Sequence, residues 1–161
     1  MSIFEVIVNH FNENIDVTSR HIEALTPYLA EAAHLLHQTI MDDGKELWCS
    51  SGAAYTVGKQ FCQQLAYSQQ LERPSLPALF LSDNDAATLS LIDQQTPLEL
   101  YARKIRALGQ SADTLIVICS NGNEASLIHA IDTAREMQVS IIALTAGESS
   151  EINQRLNTDD V

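Results

Sequence analysis

The rhythm of apolar positions changes near residue 44. Before it, Ile3, Val6, Ile7, Phe11, Ile15 and Ile22 recur at roughly helical spacing. Thr26-Pro27 is a helix start signal, with Thr as N-cap and Pro at the first helical position. Leu29, Ala33, Leu36 and Ile40 then mark one face of a second helix, which Asp42-Asp43-Gly44 ends. Beyond that point short unbroken apolar runs appear. They are Glu46-Leu47-Trp48-Cys49, Ala78-Leu79-Phe80-Leu81, Thr114 to Cys119 and Val139 to Leu144. Helical stretches separate them: 53–70 with Val57, Phe61 and Leu65 one turn apart, a short one at 83–90, then 97–108 stopped by Gly109, then 123–137. A short helix at 148–156 comes last.

Continuous apolar runs are how strands buried on both faces read, and each here alternates with a helix. The pattern predicts an α/β fold: a three-layer α-β-α sandwich around a central parallel sheet, with two leading helices. No repeat, low-complexity segment or long linker interrupts it. Residues 1–161 are read as a single domain, with 1–43 a leading helical segment and 44–161 the α/β core.

Charge narrows the partners. Nine Lys+Arg against 21 Asp+Glu give 9 − 21 = −12. Affinity for a phosphate backbone rests on Lys and Arg, so direct nucleic-acid binding is excluded as an expectation. No run approaches the ~18 apolar residues of a membrane span. The opening MSIFEVIVNHFNENID is broken by Glu5, Asn9 and His10 and does not read as a signal peptide. Cys49, Cys62 and Cys119 are odd in number and widely spaced, which argues against a disulfide framework or a zinc site and for a reduced, cytoplasmic setting.

In an open parallel sheet, ligands bind beyond the carboxyl ends of the strands. Two loops there have suggestive composition: Ser50, Ser51 and Gly52 after the first run, and Ser120, Asn121, Gly122 and Asn123 after the third. Each is a small-residue turn feeding a helix, which exposes N–H groups and the positive end of the helix dipole. Strand–helix connections need small turn residues in any case. Glu31-x-x-His34 with His37 is half of a di-metal motif without its second half. Asp83-Asn84-Asp85 lacks the Gly and distal Glu of a calcium loop. No metal and no cofactor is predicted.

Leu47-Trp48-Cys49-Ser50-Ser51-Gly52, Glu72-Arg73-Pro74-Ser75-Leu76-Pro77-Ala78, Tyr101 to Gly109 and Cys119-Ser120-Asn121-Gly122-Asn123 occur in an order that resembles the SIS (sugar isomerase) domain family. Within it, the phosphoheptose isomerases and the DiaA type (DnaA initiator-associating proteins) are most similar. The resemblance implies a parallel five-stranded sheet, read here as four to five strands, and a homotetramer with leading helices packed between subunits. It also implies departures. The family's CGNGGS-type loop is replaced by Cys49-Ser50-Ser51-Gly52-Ala53-Ala54. Its HFAEE-type helix is replaced by Gln60-Phe61-Cys62-Gln63-Gln64, so that Gln60 and Gln64 stand at the family's His and catalytic Glu. Its STSGNS loop is replaced by Cys119-Ser120-Asn121-Gly122-Asn123-Glu124, with Glu124 at a phosphate-binding Ser. Asn157 to Val161 reads as the approach to a fifth strand, and the family's C-terminal His has no counterpart here.

Aldose–ketose isomerisation moves a proton between carbons and needs an acid and a base. A Gln amide supplies neither near neutral pH. The leading expectation is therefore a non-catalytic, DiaA-type cytoplasmic oligomer that gathers a DnaA-like partner, with no catalytic residue of its own. The alternatives are a phosphoheptose (sedoheptulose 7-phosphate) isomerase with displaced catalytic groups, or a sensor that binds a sugar phosphate without turnover.

Overall fold

A computed structural model describes residues 2–67, 72–81, 90, 96–146 and 150–161. The chain divides into two compact units, Met1–His34 and Leu35–Val161. The first unit is helical from Ile3. A reciprocal box starts it: the Glu5 N–H donates to the Ser2 hydroxyl, and the Ser2 N–H donates to the Glu5 carboxylate. The two leading helices expected over 1–43 are one helix, α1 (Ile3–Met41), with Pro27 inside it. Proline removes a backbone donor but does not oblige a helix to stop. Thr26, the expected N-cap, instead turns its hydroxyl back to the Ile22 carbonyl at 2.6 Å. Ile3, Phe4, Ile7, Phe11, Ile15, Ile22, Leu25 and Leu29 are exposed.

The second unit carries the sheet. Helix α1 ends as predicted, with Asp43 in the left-handed region (φ 57°) and the Gly44 N–H donating to the Thr39 carbonyl. Then follow β1 (Glu46–Ser50), a 3₁₀ turn (Gly52–Ala54), α2 (Tyr55–Ala66), β2 (Ala78–Phe80), α3 (Glu99–Leu108), β3 (Thr114–Ile118), α4 (Ala125–Glu136), β4 (Ser140–Leu144) and α5 (Glu151–Arg155). The short helix expected at 83–90 lies outside the described residues, apart from Ser90.

All four strands are parallel, in the order β2-β1-β3-β4. Trp48 pairs with Ile116, and Ile116 with Ile142. On one face Leu47, Cys49, Leu115, Val117 and Ile141 pack against Tyr101 and Ile105 of α3, Leu127 and Ile131 of α4, and Ile152 of α5. On the other face Trp48 stacks on Phe61 of α2, with centroids 6.0 Å apart and planes 3° from parallel. This two-sided burial is why the strands read as unbroken apolar runs. Val161 lies beside β4. Its N–H donates to the Ile141 carbonyl, and its carbonyl accepts from the Ala143 N–H, the register of a fifth parallel strand.

Candidate functional site

The chain leaves β1 toward β2 on one side and leaves β3 toward β4 on the other. Adjacent strands whose connections diverge open a crevice at their carboxyl ends. The loops after β1 and β3 lie at that point, so the structure brings together both groups of residues singled out in the sequence.

The β1 loop is held from below. Ser50 is buried, and its carbonyl accepts the Tyr101 hydroxyl at 3.0 Å. Helix α2 crosses closely above it: a Cβ at Gly58 would lie 2.7 Å from the Ser50 hydroxyl. Ser51 is half-buried, and Gly52 is exposed with φ +55° in open space.

The β3 loop is held from the side. Gly122 has φ +70°, and a Cβ there would meet Ser150 at 2.4 Å, so only glycine fits. Its carbonyl accepts the Ile152 N–H. The Asn123 amide oxygen accepts the Glu151 N–H at 2.9 Å, and the Asn121 amide oxygen accepts the Asn123 N–H at 3.0 Å. Ser120, Asn121 and Asn123 are exposed. The loop is therefore a fixed frame that presents polar groups outward.

Glu124 ties the two loops together. It stands at the N-cap of α4 with extended backbone, φ −73° and ψ 110°. One carboxylate oxygen accepts the Ser51 hydroxyl at 3.1 Å, and the other accepts the Asn123 N–H at 3.1 Å. A carboxylate suits a helix N-terminus. Composition points to Glu124 as a change in the loop, but its bond to Ser51 spans 73 residues and has no sequence signal. Tyr101 and Ser150 also support the site, and local pattern marks neither.

Gln60 and Gln64 belong to α2, the helix that follows the β1 loop. They lie one turn apart on the exposed face of α2, opposite buried Gly58 and Cys62. Cys119 is buried at the end of β3. Burial, and then the Glu124 carboxylate beside it, push its thiol up to about 11, so it is not a nucleophile near neutral pH. Burial raises the Cys49 thiol as well. Among the described residues no three His, Cys, Asp or Glu side chains converge to hold a metal ion, and no helix is long and apolar enough to cross a membrane. Asp83-Asn84-Asp85 lies outside the described residues.

The arrangement offers hydroxyl and amide groups around one half-buried carboxylate. That set can hydrogen-bond a polyhydroxylated ligand, and the carboxylate can take up and return a proton.

Residues 9–146 match the SIS domain model. The chain is 33% identical over 154 residues to a phosphoheptose isomerase of Chromohalobacter salexigens, covering 96% of this chain and 78% of that protein. It is 31% identical over 161 residues to a phosphoheptose isomerase of Alkalilimnicola ehrlichii, covering all of this chain and 82% of that protein. Among solved structures it matches a phosphoheptose isomerase from Francisella tularensis with a TM-score of 0.94 at 28% identity, covering all of this chain and 84% of that one. These relatives, matched along nearly all of this chain, overturn the leading expectation of a non-catalytic DnaA-binding scaffold. That expectation rested on Gln60 and Gln64 at the family's acid–base positions, and it counted the Glu124 carboxylate only as a like charge against a bound phosphate.

Proposed function

The chain belongs to the SIS domain family, in its phosphoheptose isomerase branch, and from that premise we propose that it is a sugar-phosphate isomerase of the phosphoheptose class. Its substrate would be a phosphorylated ketose such as sedoheptulose 7-phosphate, bound over the β1 and β3 loops. The observation that carries this reading is the Glu124 carboxylate between Ser51 and Asn123 at the crevice where the two loops meet.

Isomerisation through an enediol needs a group that removes a proton from one carbon and delivers it to the next. Glu124 is the carboxylate the described residues place between these loops. Its solvent access lets it exchange the proton, and the Ser51 hydroxyl orients it. Ser120, Asn121 and Asn123 offer hydrogen bonds to the hydroxyls of the sugar. The exposed apolar residues of α1, Phe11 at 65% among them, support a homo-oligomer with this helix as contact surface.

The test is turnover of sedoheptulose 7-phosphate by the purified chain. Isomerisation lost in Glu124→Gln supports the assignment, and absence of turnover in the unmodified chain overturns it. A second reading, binding without turnover, is favoured by one observation: Gln60 and Gln64 cannot transfer protons near neutral pH. Saturable heat on calorimetric titration with the same sugar phosphate, and no product, would select it.

A further inference from the structure

Glu46 opens β1, at the end of the strand away from the loops, and it is 1% exposed. One carboxyl oxygen accepts the Trp48 indole N–H at 2.9 Å. The other is buried with no hydrogen-bond partner among the described residues. A carboxylate is costly in such a place, and the neutral acid costs far less.

The surroundings supply little charge. Arg73 acts on Glu46 across space, but its guanidinium donates to the carbonyls of Gln64, Leu65 and Pro74. Lys45, the preceding residue, is held by Asp113 at 2.6 Å. The register partners on neighbouring strands are Ala78 and Thr114. Trp48, which Glu46 touches, stacks on Phe61 of α2, and Thr114 is hydrogen-bonded to Thr39 near the end of α1. These side chains carry no charge.

We propose that Glu46 is a buried proton-binding switch, held as the neutral acid in mildly acidic solution and deprotonated at a cost to the fold as pH rises, with Trp48 as the group that senses it. Burial pushes the carboxyl above its ordinary 4.5, against smaller opposing pulls from the Trp48 bond and from Arg73. A raised carboxyl contributes its stability in full below 4.5 and loses it as pH rises through the folded value. One proton is involved, so the folding equilibrium falls by at most about tenfold per pH unit across that window.

Trp48 is the single tryptophan of the chain, so its emission and its indole N–H resonance report on the carboxyl it touches. The expected result is a one-proton transition of both signals in the folded full-length chain, with its midpoint above 4.5. It should be absent in Glu46→Gln, which keeps an acceptor for the indole. The melting temperatures of the two proteins should coincide near pH 4.5 and diverge upward from there, the variant becoming the more stable. Arg73→Met should move the midpoint of the unmodified carboxyl higher. A flat Trp48 resonance between pH 4.5 and 9 in the unmodified chain overturns the proposal and requires no variant to fold. So does a transition that survives Glu46→Gln.

Discussion

Removing the Asp113 carboxylate tests whether the start of the sheet is fixed by one buried acid. Asp113 precedes β3, and its side chain is fully buried. It accepts three bonds: from the Lys45 N–H at 2.9 Å, the Gln110 N–H at 2.8 Å and the Lys45 ammonium at 2.6 Å. It thus joins the segment entering β1 to the turn entering β3. In Asp113→Ala two backbone donors lose their charged acceptor, worth about 2–3 kcal/mol together. The Lys45 side chain is 22% exposed and regains water, so the lost ion pair adds only about 1 kcal/mol. The sum is about 3–4 kcal/mol. A domain of this size shifts its melting temperature by about 2–4 °C per kcal/mol, so the fall should be about 6–16 °C. Urea unfolding of both proteins, with equal slopes, measures the difference. Asp113→Asn keeps one carbonyl oxygen and should lose about half as much. A loss under about 1 kcal/mol in the alanine variant, at unchanged slope, would refute the idea that these bonds hold the two strand entries.

Three further outcomes follow from the same geometry. Glu124→Gln should lower turnover of sedoheptulose 7-phosphate by about 10²–10⁴ at a cost of about 1 kcal/mol in urea stability, from one lost acceptor and the lost charge at the start of α4; an active variant would place the acid–base group elsewhere. Gly122→Ala puts a methyl group 2.4 Å from Ser150 at φ +70°, and should cost about 2–4 kcal/mol and disorder the β3 loop, read by unfolding and by loss of turnover; a neutral substitution would contradict the close approach. The Arg106 hydrogen bond, and then that of His129, hold the Glu99 carboxyl below its usual range. Its contribution to stability is present above 4.5 and lost as pH falls through the folded value. Arg106→Gln should therefore reduce the drop in melting temperature between pH 6 and pH 3, and an undiminished drop would count against the pair.

The sheet was legible because burial on both faces leaves no polar alternation to confuse it. Thr114 to Ile118 and Ser140 to Leu144 stand in the sequence almost where they stand in the fold. The helix around Pro27 was misread for a local reason. Thr-Pro favours a helix start, but it does not forbid continuation when the Thr hydroxyl finds a carbonyl within the helix. Glu46 stands at the edge of an apolar run, and a charged residue there carries no signal of burial; tertiary packing supplies it. At the site, the small polar loops could be named from strand–turn–helix punctuation. Their joining by Ser51 and Glu124 could not, because no local rule links residues 73 apart. The outward face of Gln60 and Gln64 does follow from helical period once Gly58 and Cys62 are known to be inward.

The three cysteines are all buried, in three different places: Cys49 within β1, Cys62 on the inward side of α2, and Cys119 where β3 ends. In the two strand positions the thiol is also held far from its reactive anion. An alkylating reagent therefore meets each sulfur only during excursions that expose it. The rates at which the three are modified separate detachment of α2 from fraying at the loop end of β3 and from rupture of the sheet centre. The native sequence carries its own set of markers for the order in which the layers come apart.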